Sequence, residues 1–403
     1  MVGNSNLPIA IVVGLEENGL GVTRPLARNN IPCIGFATPG WNPAYRTNSC
    51  RVIHASAWTK EAFVSDLIRL ATTLDAKSPL LITKDEPVLW ISEHREELSR
   101  YYEINLPDPE IVRLLMDKQR FTRLAVSRGW PVPETHFINS PEELRAQVEE
   151  IVFPCILKPA VRTSTFRQHS ATKAWKVSNQ DELLCAYETV ARWEKEVVVQ
   201  EWIEGGDERV TYCLAYYDRK GQPLALFAGR KLRQWPLGCG NTVIAEPAPK
   251  AWAGSILELS DSIFRAVNYR GLGSIEFKMR AGSDQPVITE PTVGRTDYQS
   301  EVAVFNGQDI PTICYYDLIG SGYYPACCGR KPVKLIDGSA ERRAAWKLYR
   351  SGRLSLGRWL SDWRGRKRYM RFRLNDPGPG LDLAYRELRG MAGRMVRYLL
   401  GRG

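Results

Sequence analysis

The run Pro8-Ile-Ala-Ile-Val-Val-Gly14 is apolar without a break, the pattern of a strand buried on both faces of a parallel sheet. Leu15-Glu-Glu-Asn-Gly-Leu-Gly21 follows and opens a helical stretch from Val22 to Asn29, and a second apolar run, Pro32 to Phe36, completes a βαβ unit. A helix at 60–74, a strand at 79–83 and a helix after Glu86-Pro87 extend it to a small α/β lobe ending near Pro107. Ile111, Leu114, Leu115, Lys118, Phe121 and Leu124 recur at helical intervals, so residues 108–129 read as one helix, stopped by Pro131 and Pro133. Strands near 152–159, 172–177 and 196–201, with a helix from Asp181 to Trp193, form a second α/β lobe. Long strands at 209–218 and 222–230 and a helix at 252–268 begin a third portion.

That portion ends in two alternating apolar runs around a turn-rich centre, Ala281 to Gln285, which predicts a β-hairpin over Gly273 to Glu290. With the loop centred on Ser283, Glu276 faces Glu290 across the hairpin, and like charges so placed are destabilising unless neutralised. A hard cation such as Mg²⁺, which completes its shell with water and phosphate oxygens, would neutralise them. A solvated edge with Lys278 or Arg280 bridging the charges would do so equally well.

At 403 residues the chain is too long for one ordinary core and suggests two or three lobes, and 44% hydrophobic with 25% charged residues marks it as globular. Nine cysteines at scattered spacings, with no Cys-x-x-Cys pair, argue against a zinc cluster or a disulfide framework and fit a reducing cytoplasm. No basic region precedes the short apolar run at the N-terminus and no stretch reaches spanning length, so the expectation is a protein neither secreted nor integral to a membrane. The net charge of +10 is uneven: residues 330–403 hold twenty Lys and Arg against six Asp and Glu, +14, leaving −4 on the rest. The pair Gly19-x-Gly21 lacks the third glycine and the later acidic residue of a dinucleotide fold, so these glycines are expected to serve a tight turn and close helix packing.

Lys158 ends the apolar strand Phe153-Pro-Cys-Ile-Leu-Lys158, where a lysine is costly unless an anion meets it, and the loop Arg162 to Ser170 beyond it is rich in hydroxyls and cations. Val197-Val-Val-Gln-Glu201-Trp-Ile-Glu-Gly runs from an apolar strand into an acidic, glycine-bearing segment. The order Asp117-Lys118, Lys158-Pro159, Glu201-Trp-Ile-Glu-Gly, Glu276 and Glu290 resembles the ATP-grasp superfamily. More closely it resembles the carboxylate-amine ligases of the D-aspartate ligase and carbamoyl-phosphate-synthase-like kind, over about residues 8–320. The resemblance implies an α/β and α+β architecture: a Rossmann-like pre-ATP-grasp lobe at 1–107, ATP-grasp lobe A at 108–205, lobe B with the metal-binding hairpin at 206–325, and a basic, Trp/Arg-rich helical tail at 326–403.

By the same resemblance the cofactors are ATP and Mg²⁺ or Mn²⁺, and the partners a small-molecule carboxylate and an amine. Lys118 and Lys158 would hold ATP phosphates, Glu201, Trp202 and Ile203 would face the adenine, and Glu208 would bond the ribose. Glu276 and Glu290 would carry the metal, while Arg230 and Lys231 are candidate phosphate or acyl-phosphate contacts and Arg162 to Ser170 a candidate lid. Family members usually read Glu-x-Asn-x-Arg at the second carboxylate, whereas this chain reads Glu290-Pro-Thr292-Val-Gly-Arg295-Thr-Asp297, which leaves Thr292 or Asp297 as a substitute ligand and Arg295 one residue late for the transferred phosphate or acyl group. The implied reaction forms an acyl phosphate from ATP and a carboxylate, which an amine then converts to an amide. One alternative, motivated by Thr292, is a non-catalytic ATP-binding regulator; another, which gives weight to the basic tail, is a membrane- or nucleic-acid-associated adaptor.

Leu381, Tyr385, Leu388, Met391, Met395 and Leu399 fall at spacings of three and four with arginines off that stripe, the pattern of a basic amphipathic helix. Upstream, Trp346, Trp359, Trp363, Tyr369 and Phe372 interleave with arginines and lysines, which suits an anionic membrane surface through residues 340–403, or docking on the acidic body or on a partner subunit in a homo-oligomer. Nucleic acid is the weaker expectation because no recognition motif supports it. The four histidines, 54, 94, 136 and 169, lack metal-ligand spacing.

Overall fold

A computed structural model describes residues 7–159, 169, 174–238, 240–322 and 331–399. The lid candidate Arg162 to Ser170 lies outside them except for His169, which stacks on Trp193 at 5.4 Å between ring centroids. The chain forms two compact units, Met1–Met116 with Gly206–Glu276 and Pro291–Gly403, and Asp117–Gly205 with Phe277–Glu290.

In the first unit the apolar run is strand β1 (Ala10–Val13), whose four side chains are all buried. It pairs in parallel with β2 (Cys33–Ala37) on one side and β4 (Ser78–Ile82) on the other; β3 (Arg51–His54) and β5 (Tyr102–Glu103) extend the sheet to the order β3-β2-β1-β4-β5. The direction of winding reverses between β1 and β4, so the turns after Val13 and Ile82 open at one crevice. The first helix is longer than its sequence pattern predicts, Glu17–Arg28, and takes Gly19 and Gly21 into its body. A Cβ on Gly19 would stand 2.9 Å from the Gly14 carbonyl and one on Gly21 2.5 Å from Ser300 Oγ, so both glycines permit close packing.

The expected helix over 108–129 is two, Pro109–Met116 and Lys118–Ser127, because Asp117 leaves the helical conformation and caps the second with bonds from Gln119 N–H (2.9 Å) and Arg120 N–H (3.0 Å). The second unit then builds a four-stranded sheet of β6 (Thr135–Ile138), β7 (Cys155–Pro159), β8 (Trp175–Val177) and β9 (Val197–Glu201), in the order β6-β9-β7-β8. The helix Gln180–Val190 buries Leu183, Tyr187 and Val190 in its core with Leu157 and Val199.

A seven-stranded sheet comprises β10 (Val210–Tyr217), β11 (Pro223–Trp235), β12 (Asn241–Pro247), β13 (Gly271–Met279), β14 (Pro286–Val293), β15 (Val333–Ile336) and β16 (Arg366–Tyr369), ordered β14-β13-β10-β11-β12-β15-β16. β13 and β14 are the expected hairpin. Its turn closes with Arg280 N–H on the Gln285 carbonyl at 2.8 Å, one residue tighter than a loop centred on Ser283, and Asp284 takes the left-handed conformation there (φ 52°). Along β14 the alternation breaks, with Val287 and Ile288 both buried and Thr289 and Glu290 both exposed.

Residues 326–403 differ from the helical tail expected. Helices Gly338–Arg350, Leu356–Asp362 and Gly378–Leu399 are present, but β15 and β16 join the sheet, and Met370 belongs to the main core of the first unit. Charged side chains on the edge strand β16, Arg366-Lys-Arg, block further strand addition, so its composition suits an edge although it masks the strand in the sequence. Buried ion pairs tie this extension in: Arg233 to Glu341 and Asp362, Arg373 to Glu301, and Arg24 to Asp376. Arg24 also donates to the carbonyls of Met370 (2.6 Å) and Arg371 (3.0 Å).

Candidate functional site

In the second unit the end of β7 and the start of the helix Lys118–Ser127 bring two lysines toward one carboxylate. Lys158 lies on the half-exposed face of β7 and donates to Gln200 Oε1 of the neighbouring strand at 2.8 Å. Burial lowers its amine to about 8, the like charge of Lys118 adds to the shift, and Glu290 opposes it. Lys118 Nζ stands 2.6 Å from Glu290 Oε2, with both side chains largely in solvent at 70% and 49% exposure. Two cations against one carboxylate leave an excess positive charge at a sheet edge.

Beside it, β9 runs into the segment 201–205. The Glu201 carboxylate is gripped by both Nη atoms of Arg280, at 2.6 and 3.1 Å, and these hydrogen bonds hold it below the ordinary carboxylate range. Its backbone N–H goes to the Glu134 carbonyl (2.8 Å), and that of Trp202 to the Pro154 carbonyl (3.0 Å). Lys278 Nζ bonds the Gly205 carbonyl at 2.8 Å, so the far end of the hairpin is fastened along this segment. Lys176 lies 4.7 Å over the Trp202 ring. The Ile203 side chain is buried, while its N–H finds no acceptor among the described residues. The side chain of Glu201 is thus committed to Arg280, and what the segment can present to a ligand is backbone.

In the first unit, Glu276 on β13 pairs with Lys231, whose side chain is buried in β11 and also reaches Gln234 Oε1 at 3.3 Å. Arg230, the preceding residue, turns to the opposite face of the strand, where it meets Glu246 through Nε at 2.9 Å; Lys334 stands 3.4 Å from the other oxygen. Arg230 and Lys231 therefore do not converge on one group. Glu208 sits in a tight turn, Asp207–Arg209, with its carboxylate over Gly206 in space that a Cβ there would otherwise take. Thr292 is buried on β14. Arg295 bonds Asp297 at 3.2 Å and Asp85 at 2.5 Å, and Asp85 follows β4, so this arginine lies at the crevice of the parallel sheet. Lys84 and Glu16 pair at the same crevice at 2.7 Å.

Among the described residues no group of three or more His, Cys, Asp and Glu side chains is placed to hold a metal ion. The donor set at the hairpin is hard oxygen, each carboxylate already neutralised by a lysine, which fits an ion that takes most of its shell from elsewhere. Sequence reasoning missed Gln200, Arg280 and Glu246, the partners that aim Lys158, Glu201 and Arg230. Of these only Arg280 carried a signal, as a cation within the hairpin, and it serves the adjoining segment instead of bridging the carboxylates.

No family model matches the chain. It is 24% identical over 286 residues to the D-aspartate ligase of Enterococcus faecium (strain Aus0004), covering 67% of each chain. It is 32% identical over 97 residues to the D-alanine–D-alanine ligase of Ectopseudomonas mendocina (strain ymp), 24% of this chain and 29% of that one. Of solved structures, N5-carboxyaminoimidazole ribonucleotide synthetase from Thermus thermophilus superposes with a TM-score of 0.60 at 16% identity, over 80% of this chain and 81% of that one. Biotin carboxylase from Campylobacter jejuni does so with a TM-score of 0.60 at 15% identity, over 79% and 72%.

Proposed function

We propose that the chain is an ATP-dependent carbon–nitrogen ligase of the ATP-grasp kind, a reading supported by its similarity to D-aspartate ligase and by its fold, and that its own residues divide the work. The carrying observation is the pair of lysines, Lys158 and Lys118, beside the single carboxylate Glu290, with burial lowering the Lys158 amine to about 8. A polyphosphate supplies the anion that this cluster lacks. Lys158, aimed by Gln200, and Lys118 hold the phosphates, the backbone of Glu201 to Ile203 reads the adenine edge, and Glu208 bonds the ribose.

Glu276 and Glu290, with Thr292 nearby in sequence, would hold Mg²⁺ or Mn²⁺, which when bound screens the charge of the β- and γ-phosphates. The substrate carboxylate attacks the γ-phosphorus, the bond to the bridging oxygen of ADP breaks, and an amine then attacks the acyl carbon and expels phosphate to leave an amide. Lys158, Lys118 and Lys231 stabilise the charge that develops on the phosphoryl oxygens, and this needs no covalent participation by the protein. Arg295 and Lys84 at the crevice are placed to receive the anionic substrate, and Asp85, Asp297 and Glu16 hold them there. Arg230, committed to Glu246, supports the strand and not the transferred group.

The parallel sheet β1–β5 supplies the pre-ATP-grasp lobe in this reading, residues 108–205 and 206–325 the two grasping lobes, and residues 326–403 a basic extension. The test is an ADP-release screen over amino acids and sugar acids, with and without amines, at several Mg²⁺ concentrations. Release that requires both an acid and an amine supports the ligase; tight ATP binding with no turnover in any pairing would leave a nucleotide-binding regulator.

A further inference from the structure

We propose that the C-terminal helix Gly378–Leu399, with the loop before it, is a docking surface for an anionic lipid bilayer. The contacts that fasten the helix to the body among the described side chains lie at its beginning. Pro379 is buried, Gly378 packs on the Arg46 carbonyl so closely that a Cβ would not fit, and Trp41 Nε1 donates to Asp382 Oδ2 at 2.8 Å. Arg386 lies 3.8 Å over the Trp41 ring and 3.5 Å from Asp382. Ala384 through Arg389 are all exposed.

The polarity of this attachment is inverted. A helix docked on a soluble body turns its apolar stripe inward, whereas here Asp382 and Arg386 face the body and Leu381, Tyr385 and Leu388 are 59%, 58% and 62% exposed. Leu374, at 92%, and Phe372, at 41%, are exposed in the loop that precedes the helix. In the sequence Met391, Met395 and Leu399 continue the stripe. Contiguous exposed apolar surface of this kind marks an interaction site.

Charge selects the occupant. The body carboxylates that meet the extension, Glu17 and Glu301, are already taken by Arg371 and Arg373, and the extension's own Asp337 and Asp376 by Arg371 and Arg24. Arg342, Arg343, Arg350, Arg353, Arg364 and Arg366 are exposed, and among the described residues none has a carboxylate partner. A second copy presenting the same +14 extension repels this surface, while a bilayer of anionic lipids accepts both the apolar stripe and the arginines. Among the described residues no helix is long and apolar enough to cross a membrane, so the contact lies in the interfacial plane.

The test is co-sedimentation of the full chain with phosphatidylglycerol vesicles and with phosphatidylcholine vesicles, for the wild type and for L381S/Y385S/L388S. Because the three side chains are exposed, circular dichroism of the variant should match the wild type. The expected result is pelleting with phosphatidylglycerol that weakens with added salt and falls at least about tenfold with phosphatidylcholine or with the variant. No pelleting with phosphatidylglycerol, equal pelleting of the variant, or self-association in place of vesicle binding that the variant abolishes would each overturn the proposal.

Discussion

Lys118 and Glu290 are 172 residues apart in sequence and 2.6 Å apart in space, in a pair that stays largely open to water. Exposed ion pairs contribute little, about 0–1 kcal/mol, so this one adds little to the fold and exchanges readily when a phosphate approaches the lysine. Lys158 is its half-buried counterpart, short of an anion and held by Gln200. The difference in burial ranks the two lysines.

Lys158→Met is therefore expected to weaken ADP binding more than Lys118→Met. A charge-assisted hydrogen bond at a buried site contributes roughly 1.5–3 kcal/mol, or about 10- to 100-fold in the dissociation constant, and the exposed lysine about threefold to tenfold. Titration calorimetry reads both. Equal effects, or a larger one at Lys118, would mean that the phosphates lie elsewhere.

The lowered amine of Lys158 sets a pH dependence. In the free protein the group loses its proton near pH 8, and a bound phosphate, favouring the ammonium, raises that value. Affinity for ADP should thus be level below pH 8 and weaken by up to about tenfold per pH unit above it. Measurement without divalent metal isolates this term, and the slope should vanish in Lys158→Met.

Removing either hairpin carboxylate should show itself in the metal requirement. Glu276→Gln and Glu290→Gln are each expected to raise the Mg²⁺ concentration for half-maximal ADP release at least about tenfold. A chelator should abolish turnover while leaving ADP binding measurable through the lysines. Unchanged Mg²⁺ dependence in both variants would remove these carboxylates from the site.

The C-terminal extension is part of the folded body, and its loss should unfold rather than trim the protein. Arg233 is buried against Glu341, which is fully inaccessible, and Asp362. Arg233→Ala leaves the buried Glu341 without its cation and Asp362 with Arg358 alone, and should cost about 3–5 kcal/mol in denaturant unfolding. A chain ending at residue 339 would lose both partners and β16; it should be insoluble or molten, and a stable, cooperative truncated body would contradict this.

How much of this was legible in the sequence depended on how local each signal was. Buried strands such as β1, the helix Gln180–Val190 and the hairpin β13–β14 follow from uninterrupted or alternating apolar residues. The break at Asp117 did not, because an aspartate in a helical pattern is a cap only if the chain turns there. β16 hid behind its charge, since an edge strand can be basic throughout. In the candidate site, the lysines and carboxylates carried recognisable neighbours, whereas Gln200 and Glu246 become relevant only through strand pairing across 42 and 16 residues. Nor did the net charges of body and extension disclose that Glu301 and Glu341 are buried partners of arginines more than 70 residues away.

The most direct test of the ligase reading replaces the unknown amine with hydroxylamine, which captures an acyl phosphate whatever the natural nucleophile. With ATP, Mg²⁺ and a panel of amino acids and sugar acids, the wild type should yield a hydroxamate and equimolar ADP with at least one acid, and Lys158→Met should reduce that yield at least about tenfold. ADP formed without any hydroxamate, or a hydroxamate yield indifferent to Lys158, would contradict it.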